Sequence, residues 1–156
     1  MEVNSPTLGF LLHEVARLLR KRFEQNAHGS GLTRSQWQVL AYLSLNEGIN
    51  QSGLAELLEV EPITLSRIVD KLQSFGLIER YPQPSDRRVW ILRLTPAARP
   101  KLTEARKFND RTTSEALAGV SDGDGLHLLK TLQALKLNLT DARDSSVAGQ
   151  KRATHG

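Results

Sequence analysis

The spacing of the apolar residues changes at Gly76 and becomes helical again after Thr95, and this interruption restricts the fold more than any other feature. Before Gly76, apolar residues recur every three or four positions, which is the period of an amphipathic α-helix. After it, two short segments rich in β-forming residues, 77–81 and 89–94, flank the proline-containing segment 82–88. The sequence therefore predicts a mostly α-helical fold with one small β-hairpin (α+β), whose tip is basic.

Capping residues divide the helical part of the chain into segments. A hydroxyl or amide side chain just before an apolar run, or a proline at the first helical position, indicates a helix start, and glycine indicates an end. Six helices are predicted: from Leu8 to the glycines of 28–31, after a capping box of Thr33 and Gln36, after Asn50, from Pro62 to Gly76, from Thr95 and Pro96 to about Ala118, and after Ser121.

Two of the predicted helices carry apolar stripes that a lone helix would leave in water. The stripes consist of Leu8, Leu11, Leu12 and Val15 in the first helix and Leu128, Leu132, Leu135 and Leu139 in the sixth. Both stripes need a partner surface. The chain of 156 residues suits one domain, 1–156, and its small, polar segment 143–156 is expected to be disordered.

Charge is concentrated in one part of the chain. The net charge is +4, and segment 62–101 alone carries eight basic and three acidic residues, a net +5, so that the rest sums to −1. A localised basic segment indicates a polyanionic partner. No apolar run approaches the roughly 20 residues needed to span a bilayer, so no membrane association is expected and a cytoplasmic location is predicted.

Catalytic and metal-binding patterns are missing from the sequence. There is no cysteine, which excludes disulfides and thiol-based redox sensing. Metalloprotease, nucleophile-elbow and phosphate-loop motifs are absent, and the acidic segment 122–125 lacks the ligand order of a calcium loop. We therefore expect no enzyme activity, no metal and no cofactor.

Two short helices followed by a basic hairpin is the order of a winged helix-turn-helix, here predicted over 33–96. The second helix of such a unit enters the major groove of DNA. Its candidate contacts here are Pro62, Thr64, Ser66, Arg67 and Lys71. Arg67 is the preferred base reader, since a guanidinium can bind guanine through two hydrogen bonds.

The hairpin tip supplies a second set of candidate DNA contacts. Arg87 and Arg88 suit the minor groove, whose narrow form concentrates negative potential. Asp86 could hold Arg88 in a forked ion pair and so stabilise the wing while Arg87 probes the groove, or the two arginines could exchange roles. A surface ion pair with no function is the alternative.

At this point the residues resemble a known family. Asp86, Arg88, Leu92, Leu94 and Thr95 match the D-x-R-x-x-x-L-x-L-T wing signature of MarR-type regulators at every fixed position. The stretch from Leu54 to Ile78 is also similar, and 85–88 looks closest to the SlyA-like branch. The resemblance covers about 8–142 and is strongest over 33–96.

The resemblance implies a homodimer in which segments 8–31 and 97–142 supply dimerisation helices. Two winged units would then bind a pseudo-palindromic operator in double-stranded DNA, with half-sites about one helical turn apart. The expected function is that of a transcriptional regulator, most simply a repressor, associated with the nucleoid.

Family members often bind an effector between the dimerisation helices and the DNA-binding part, commonly an aromatic acid or a phenolic compound. The matching positions are His13, Arg17 and Trp37. His13 and Arg17 share a helix face and could donate to a carboxylate, while Trp37 could stack on a ring; each could equally be an ordinary structural residue. An aromatic carboxylate, a phenolic compound or an acyl thioester is the predicted effector.

Two other functions remain open at this stage. The protein could bind DNA without an effector, as an architectural regulator or an anti-silencer that competes with other DNA-coating proteins. It could also be a winged-helix adaptor that binds another protein through its sixth helix. An adaptor is expected to show little salt-dependent affinity for DNA. A regulator with a true effector differs from an effector-independent one because the effector must stabilise the dimer.

Overall fold

The structure is a computed structural model that describes residues 6–152, with side chains described for residues 6–140. Within this range the elements follow in the order α1 (Leu8–Asn26), α2 (Arg34–Leu45), α3 (Gln51–Leu58), α4 (Pro62–Ser74), β1 (Ile78–Gln83), β2 (Asp86–Leu94), α5 (Ala98–Ala116) and α6 (Asp122–Arg152). Six helices and one antiparallel hairpin confirm the predicted fold class.

Helices α2, α3 and α4 begin at the positions that the sequence indicates, whereas α5 begins at Ala98 rather than at the predicted Thr95 and Pro96. The Thr33 hydroxyl accepts the amide of Gln36 at 3.2 Å, and the Gln36 side chain accepts the amide of Thr33 at 2.9 Å, which completes the capping box of α2. Asn50 accepts the amide of Gly53 at 2.7 Å and starts α3. Helix α4 begins with Pro62, where the missing N–H costs no hydrogen bond.

A tight turn joins α3 to α4. Glu59 has a left-handed backbone with φ 53°. The amide of Glu59 donates to the carbonyl of Glu56, and that of Val60 donates to the carbonyl of Ala55, both at 3.1 Å. These two hydrogen bonds satisfy the last carbonyls of α3, and α4 begins at Pro62, two residues after Val60.

The hairpin is attached to the helices through β2. Ile78 pairs with Leu94 and Arg80 with Leu92 across the strands. On its other edge, β2 binds the segment before α3, because the Leu92 amide donates to the carbonyl of Ile49 at 3.0 Å and Gly48 donates to Leu92 at 3.1 Å. The hairpin is therefore fixed to the helix-turn-helix by backbone hydrogen bonds.

The hairpin is longer than predicted, and its loop is shorter. The sequence places 82–88 in the tip, whereas β1 continues to Gln83, β2 begins at Asp86, and only Pro84 and Ser85 form the loop. The pairing register shifts between Pro82 and Gln83. Proline lacks an N–H for the ladder but is accepted on an edge strand next to a bulge, so Pro82 does not end β1, whereas Pro84 directly follows its last residue.

One apolar core joins α2, α3, α4 and the hairpin. Its fully buried large side chains are Val39, Leu40, Leu43, Leu54, Leu65, Val69, Leu72, Ile78 and Leu92. These residues come from every element between 34 and 94, so the core fixes the orientation of α4 relative to the hairpin.

Two compact units divide the chain between Ser114 and Glu115. The helix-turn-helix, the hairpin and α1 belong to the first unit, and α6 belongs to the second. In α6 the helix continues to Arg152, so residues 143–152 are helical rather than disordered as predicted. No proline interrupts this segment, and a helix already started needs little further propensity to continue. Residues 153–156 lie outside the described residues.

Candidate nucleic-acid interface

Helix α4 presents a narrow outward ridge opposite the core. Leu65, Val69 and Leu72 are fully buried, and at about 100° per residue Ile63 and Arg67 point roughly 150–170° away from them. Both are exposed, and they lie one helical turn apart. A duplex that approached α4 along its outer side would meet this ridge first.

The other predicted contacts flank that ridge. Thr64 and Lys71 lie on one side and are exposed, and the Lys71 ammonium lies 5.0 Å from the centre of the Phe75 ring. Pro62 is exposed at the start of the helix, and Ser66 is half-buried on the opposite side. The structure thus puts all five predicted residues on one helix, with Arg67 in the most central position.

Arg80 ties the hairpin to both helices of the helix-turn-helix. Its Nε donates to Gln51 of α3 at 2.9 Å, and its Nη1 and Nη2 donate to Gln73 at 2.8 Å and to the Ser66 carbonyl at 3.2 Å. Nη1 also lies 2.6 Å from Asp70 Oδ1. Arg80 is one of the eight basic residues counted in segment 62–101. Its guanidinium is half-buried and binds residues of the protein itself, so it is not a surface charge available to DNA.

Sequence reasoning missed this role because only α4 and β1 together reveal it. Asp70 and Arg80 are ten residues apart across a glycine turn, and nothing in their spacing marks them as partners. One feature of the sequence does indicate this role. Arg80 lies two residues after the apolar Ile78, and side chains two apart in a strand share a face, so Arg80 is predicted to lie on the core side of the hairpin.

The wing tip separates its two arginines. The Arg88 guanidinium forms a fork to Asp86, with Nε 3.1 Å from Oδ1 and Nη2 3.1 Å from Oδ2, and the Arg88 amide donates to Oδ1. These bonds, from the side chain first and the backbone second, hold the pKa of Asp86 below its ordinary value. Within the described residues, the exposed Arg87 forms no hydrogen bond or ion pair.

An irregular ladder pushes this part of β2 outward. Pro82 pairs with Trp90 and Gln83 pairs with Asp86, so the described part of β1 has no residue opposite 87–89. A bulge of this kind redirects side chains away from the sheet plane. The wing therefore presents two cations, one held by Asp86 and one without a partner in the described chain.

The first unit also contains an open cavity of about 400 Å³. Its wall comes from α1, α2 and α5, and it includes Arg20, Phe23, Arg34, Trp37, Tyr42 and Asn109. Apolar rings and guanidinium groups in one cavity suit a small ligand with a ring and a negative charge. Neither Arg20 nor Arg34 forms an ion pair within the described part of the chain.

Trp37 belongs to an aromatic cluster at the base of this cavity. Its ring meets those of Phe23 and Phe108 edge to face, with centroid distances of 6.4 and 6.0 Å. Its indole N–H donates to the Ser30 hydroxyl at 3.2 Å. Trp37 is thus both a core residue and part of the cavity wall, so the two interpretations of this residue are compatible.

The two predicted effector residues on α1 lie elsewhere. His13 and Arg17 are exposed and do not line the cavity. Arg17 instead binds Glu14, with Nη2 2.8 Å from Oε2, and this contact lowers the pKa of Glu14. Arg20, one turn further along α1, lines the cavity in their place. The assignment of His13 and Arg17 to an effector site stays a prediction, and both residues lie outside this cavity.

The apolar stripes of α1 and α6 lie at the surface. In α1, Leu8, Leu11, Leu12 and Val15 are all exposed. In α6, Leu128 and Leu139 are exposed and Leu132 and Leu135 are half-buried. Within the described residues, no helix is long and apolar enough to cross a membrane, and no cluster of three potential metal ligands occurs.

A helix-turn-helix whose second helix presents an exposed outer ridge with Arg67 at its centre, fixed to a basic hairpin, defines a winged helix-turn-helix protein. Comparison with known proteins agrees with this class. Residues 32–90 match the model of the MarR family. The uncharacterized HTH-type transcriptional regulator YdgJ of Bacillus subtilis (strain 168) is 26% identical over 132 residues, which covers 85% of this chain and 79% of that protein.

Solved structures give the same result. A crystal structure of MarR superposes with a TM-score of 0.82 at 24% identity and covers 93% of this chain and 98% of its own. The transcriptional repressor CouR, bound to a 23-mer DNA duplex, superposes with a TM-score of 0.70 at 29% identity and covers 83% and 92%. Residues 32–90 therefore match the MarR family, and the chain is similar over most of its length to DNA-binding transcriptional regulators of that family.

Proposed function

We propose that this regulator is a repressor that binds a pseudo-palindromic operator as a homodimer and is released by a small aromatic carboxylate or a related phenolic or acyl-thioester ligand. The observation that carries the ligand-dependent part is the cavity beside Trp37, which combines aromatic walls with Arg20 and Arg34. Its place of action is the nucleoid in the cytoplasm.

The operator contacts are assigned from the geometry of α4 and the wing. Arg67 on the outward ridge reads a guanine in the major groove, and Lys71 beside it binds a phosphate. Arg87 enters the minor groove, because Arg88 is already held by Asp86 while Arg87 is exposed and without a partner in the described chain. The similar repressor CouR was solved bound to a 23-mer DNA duplex, which supports double-stranded DNA as the partner.

A second copy of the chain is the proposed partner of the apolar stripes. Leu11 of α1 is 50% exposed and Leu139 of α6 is 71% exposed. Stripes of this kind are stable in water only when a partner covers them. Two-fold pairing also places two copies of α4 on successive turns of the same duplex face, so that each half-site adds to the affinity.

Ligand release follows from a population shift. The cavity wall comes from α1, α2 and α5, and α2 packs into the core that orients α4. A ligand that binds more tightly to a conformer with an altered spacing of the two α4 helices lowers operator affinity by its differential affinity alone. A shift of tenfold needs about 1.4 kcal/mol of such preference.

The test uses benzoate as the probe. Benzoate should raise the melting temperature of the wild-type protein and weaken its binding to a duplex that the wild type selects from a random-sequence library. Arg34→Ala should lose both responses because it removes a cavity guanidinium. The matched control is Arg17→Ala, which removes a guanidinium from α1 outside the cavity and should keep both responses.

Other outcomes assign the alternatives. Tight operator binding with no response to benzoate, phenol or a benzoyl thioester in any variant would indicate an effector-independent architectural regulator or anti-silencer. Loss of the benzoate response in Arg17→Ala, but not in Arg34→Ala, would return the effector site to the exposed face of α1. No duplex selected at all would favour the protein-binding adaptor.

A further inference from the structure

Ile63 is an exposed isoleucine on the outward ridge of α4, the helix proposed to contact DNA. Its side chain is 62% exposed, although the other aliphatic side chains of α4, Leu65, Ile68, Val69 and Leu72, are buried or half-buried. It occupies the second position of the helix, after Pro62. Ile63 is neither part of the buried face nor polar, so helical periodicity and charge alone predict no role for it.

We infer that Ile63 is a specificity-determining residue that recognises thymine through the C5 methyl group in the major groove. The inference rests on the proposed contact between α4 and DNA. Among the four bases only thymine presents a methyl group at the major-groove edge, and apolar side chains are the groups that contact it. A polar side chain at this position would instead favour a hydrogen-bonding base edge.

The position of Ile63 relative to Arg67 supports this assignment. The two residues are four apart, so they share one face and are separated by about 6 Å along the helix axis. Successive base pairs are about 3.4 Å apart along a strand, so this separation corresponds to roughly two base-pair steps. In the proposed complex Arg67 contacts a guanine, and Ile63 contacts the methyl group of a thymine about two base pairs away.

The side chain is also suited to recognition by its stiffness. A β-branched residue in a helix keeps one strongly preferred χ1 rotamer, so Ile63 loses little conformational freedom when it contacts a base. Thr64 next to it is β-branched too, but at about 100° per residue it points to the flank of the helix rather than along the ridge. Ile63, and not Thr64, therefore points toward the base edges of the major groove in the proposed complex.

The test removes the methyl group from the DNA rather than from the protein. In the duplex selected by the wild type, each thymine is replaced in turn by dU, which keeps base pairing and removes only C5 methyl. One thymine in each half-site should matter. Burial of a methyl group corresponds to about a fourfold change in affinity, or about fifteenfold when both half-sites are changed.

A double-mutant cycle then links this effect to Ile63. Ile63→Ala should bind the thymine duplex about as weakly as the wild type binds the dU duplex, and it should no longer distinguish thymine from dU. The control Leu45→Ala removes an 83% exposed leucine at the end of α2 and should keep the wild-type discrimination. Thermal unfolding of each variant shows that the exposed substitutions leave the fold intact.

Failure of the Ile63 assignment and failure of the proposed contact between α4 and DNA give different results. A dU effect of equal size in wild type and Ile63→Ala, or no thymine whose methyl matters, overturns the assignment of Ile63 while the contact between α4 and DNA stands. A selection that enriches no sequence overturns that contact and the assignment together.

Discussion

Arg80 of β1 and Asp70 of α4 form an ion pair in which Nη1 lies 2.6 Å from Oδ1, with the Arg80 side chain only 13% exposed. The same guanidinium donates to Gln51, Gln73 and the Ser66 carbonyl. A planar group with five donors can connect a strand to two helices in this way, which a lysine ammonium cannot. The angle between the wing and α4 therefore depends on Arg80.

Arg80→Lys is predicted to destabilise the fold although it keeps the charge. Four acceptors would share the three N–H donors of one ammonium group, and the free energy of unfolding should fall by about 1–3 kcal/mol, as measured by urea denaturation. Operator affinity should fall as well, in conditions where the variant is fully folded. The control Arg99→Lys changes an exposed arginine and should have little effect on either measurement. Equal stability of the two variants would contradict a connecting role for Arg80.

Asp86 is predicted to stabilise the protein at neutral pH and to lose this contribution in acid. Because hydrogen bonds from Arg88 lower the pKa of Asp86, its contribution is present above the ordinary pKa of an aspartate and is lost as pH falls through the lower native value. Urea denaturation below about pH 4 should show a shallower decline for Asp86→Asn than for wild type. At pH 7, Asp86→Asn should weaken operator binding severalfold, since Arg88 is no longer held. Parallel pH profiles would argue against the forked pair.

Glu59→Gly is predicted to stabilise the protein. Glu59 has a left-handed backbone, which costs an ordinary residue about 1 kcal/mol and costs glycine almost nothing. The side chain is exposed and caps no helix, so its removal loses no packing. The melting temperature should rise by a few degrees. A matched substitution at Glu56 inside α3 should lower it, because glycine is a poor helix former.

Leu11→Glu is predicted to prevent dimer formation. A carboxylate within an apolar stripe would have to be desolvated in a paired interface, so light scattering should give the mass of one chain. Operator affinity should fall because the two half-sites are no longer bound together. Leu45→Glu places the same charge on an exposed leucine outside both stripes and should remain dimeric. A Leu11→Glu protein with the mass of two chains would exclude α1 from the interface.

The sequence predicts most of the fold because the helix signals here are local. Thr33 with Gln36, Asn50 and Pro62 act over three or four residues, and the structure contains each helix start at the predicted position. The hairpin was harder to predict, since proline normally ends a strand and only the observed register shift accommodates it. Helix α6 also exceeds its predicted length, because segment 143–152 contains no proline and a helix that has already started continues past Gly149.

The candidate site could be predicted only where its residues share one element. The contacts on α4 follow from helical periodicity, which fixes the outward side once the core residues are known. The cavity depends instead on the rotation of α1 against α2, and this rotation brings Arg20 rather than Arg17 to its wall. The bonds of Arg80 join three elements, so no local pattern contains them.

The most direct test of the account is the salt dependence of binding to the selected duplex and to a scrambled one, by fluorescence anisotropy between about 50 and 200 mM salt. The account predicts a steep fall in affinity with salt. Arg67→Ala should lose about 1–3 kcal/mol on the selected duplex only, and Lys71→Ala should weaken both and reduce the salt slope by about one. Equal, salt-independent binding of all three proteins to both duplexes would contradict the assignment of α4 as the element that reads DNA.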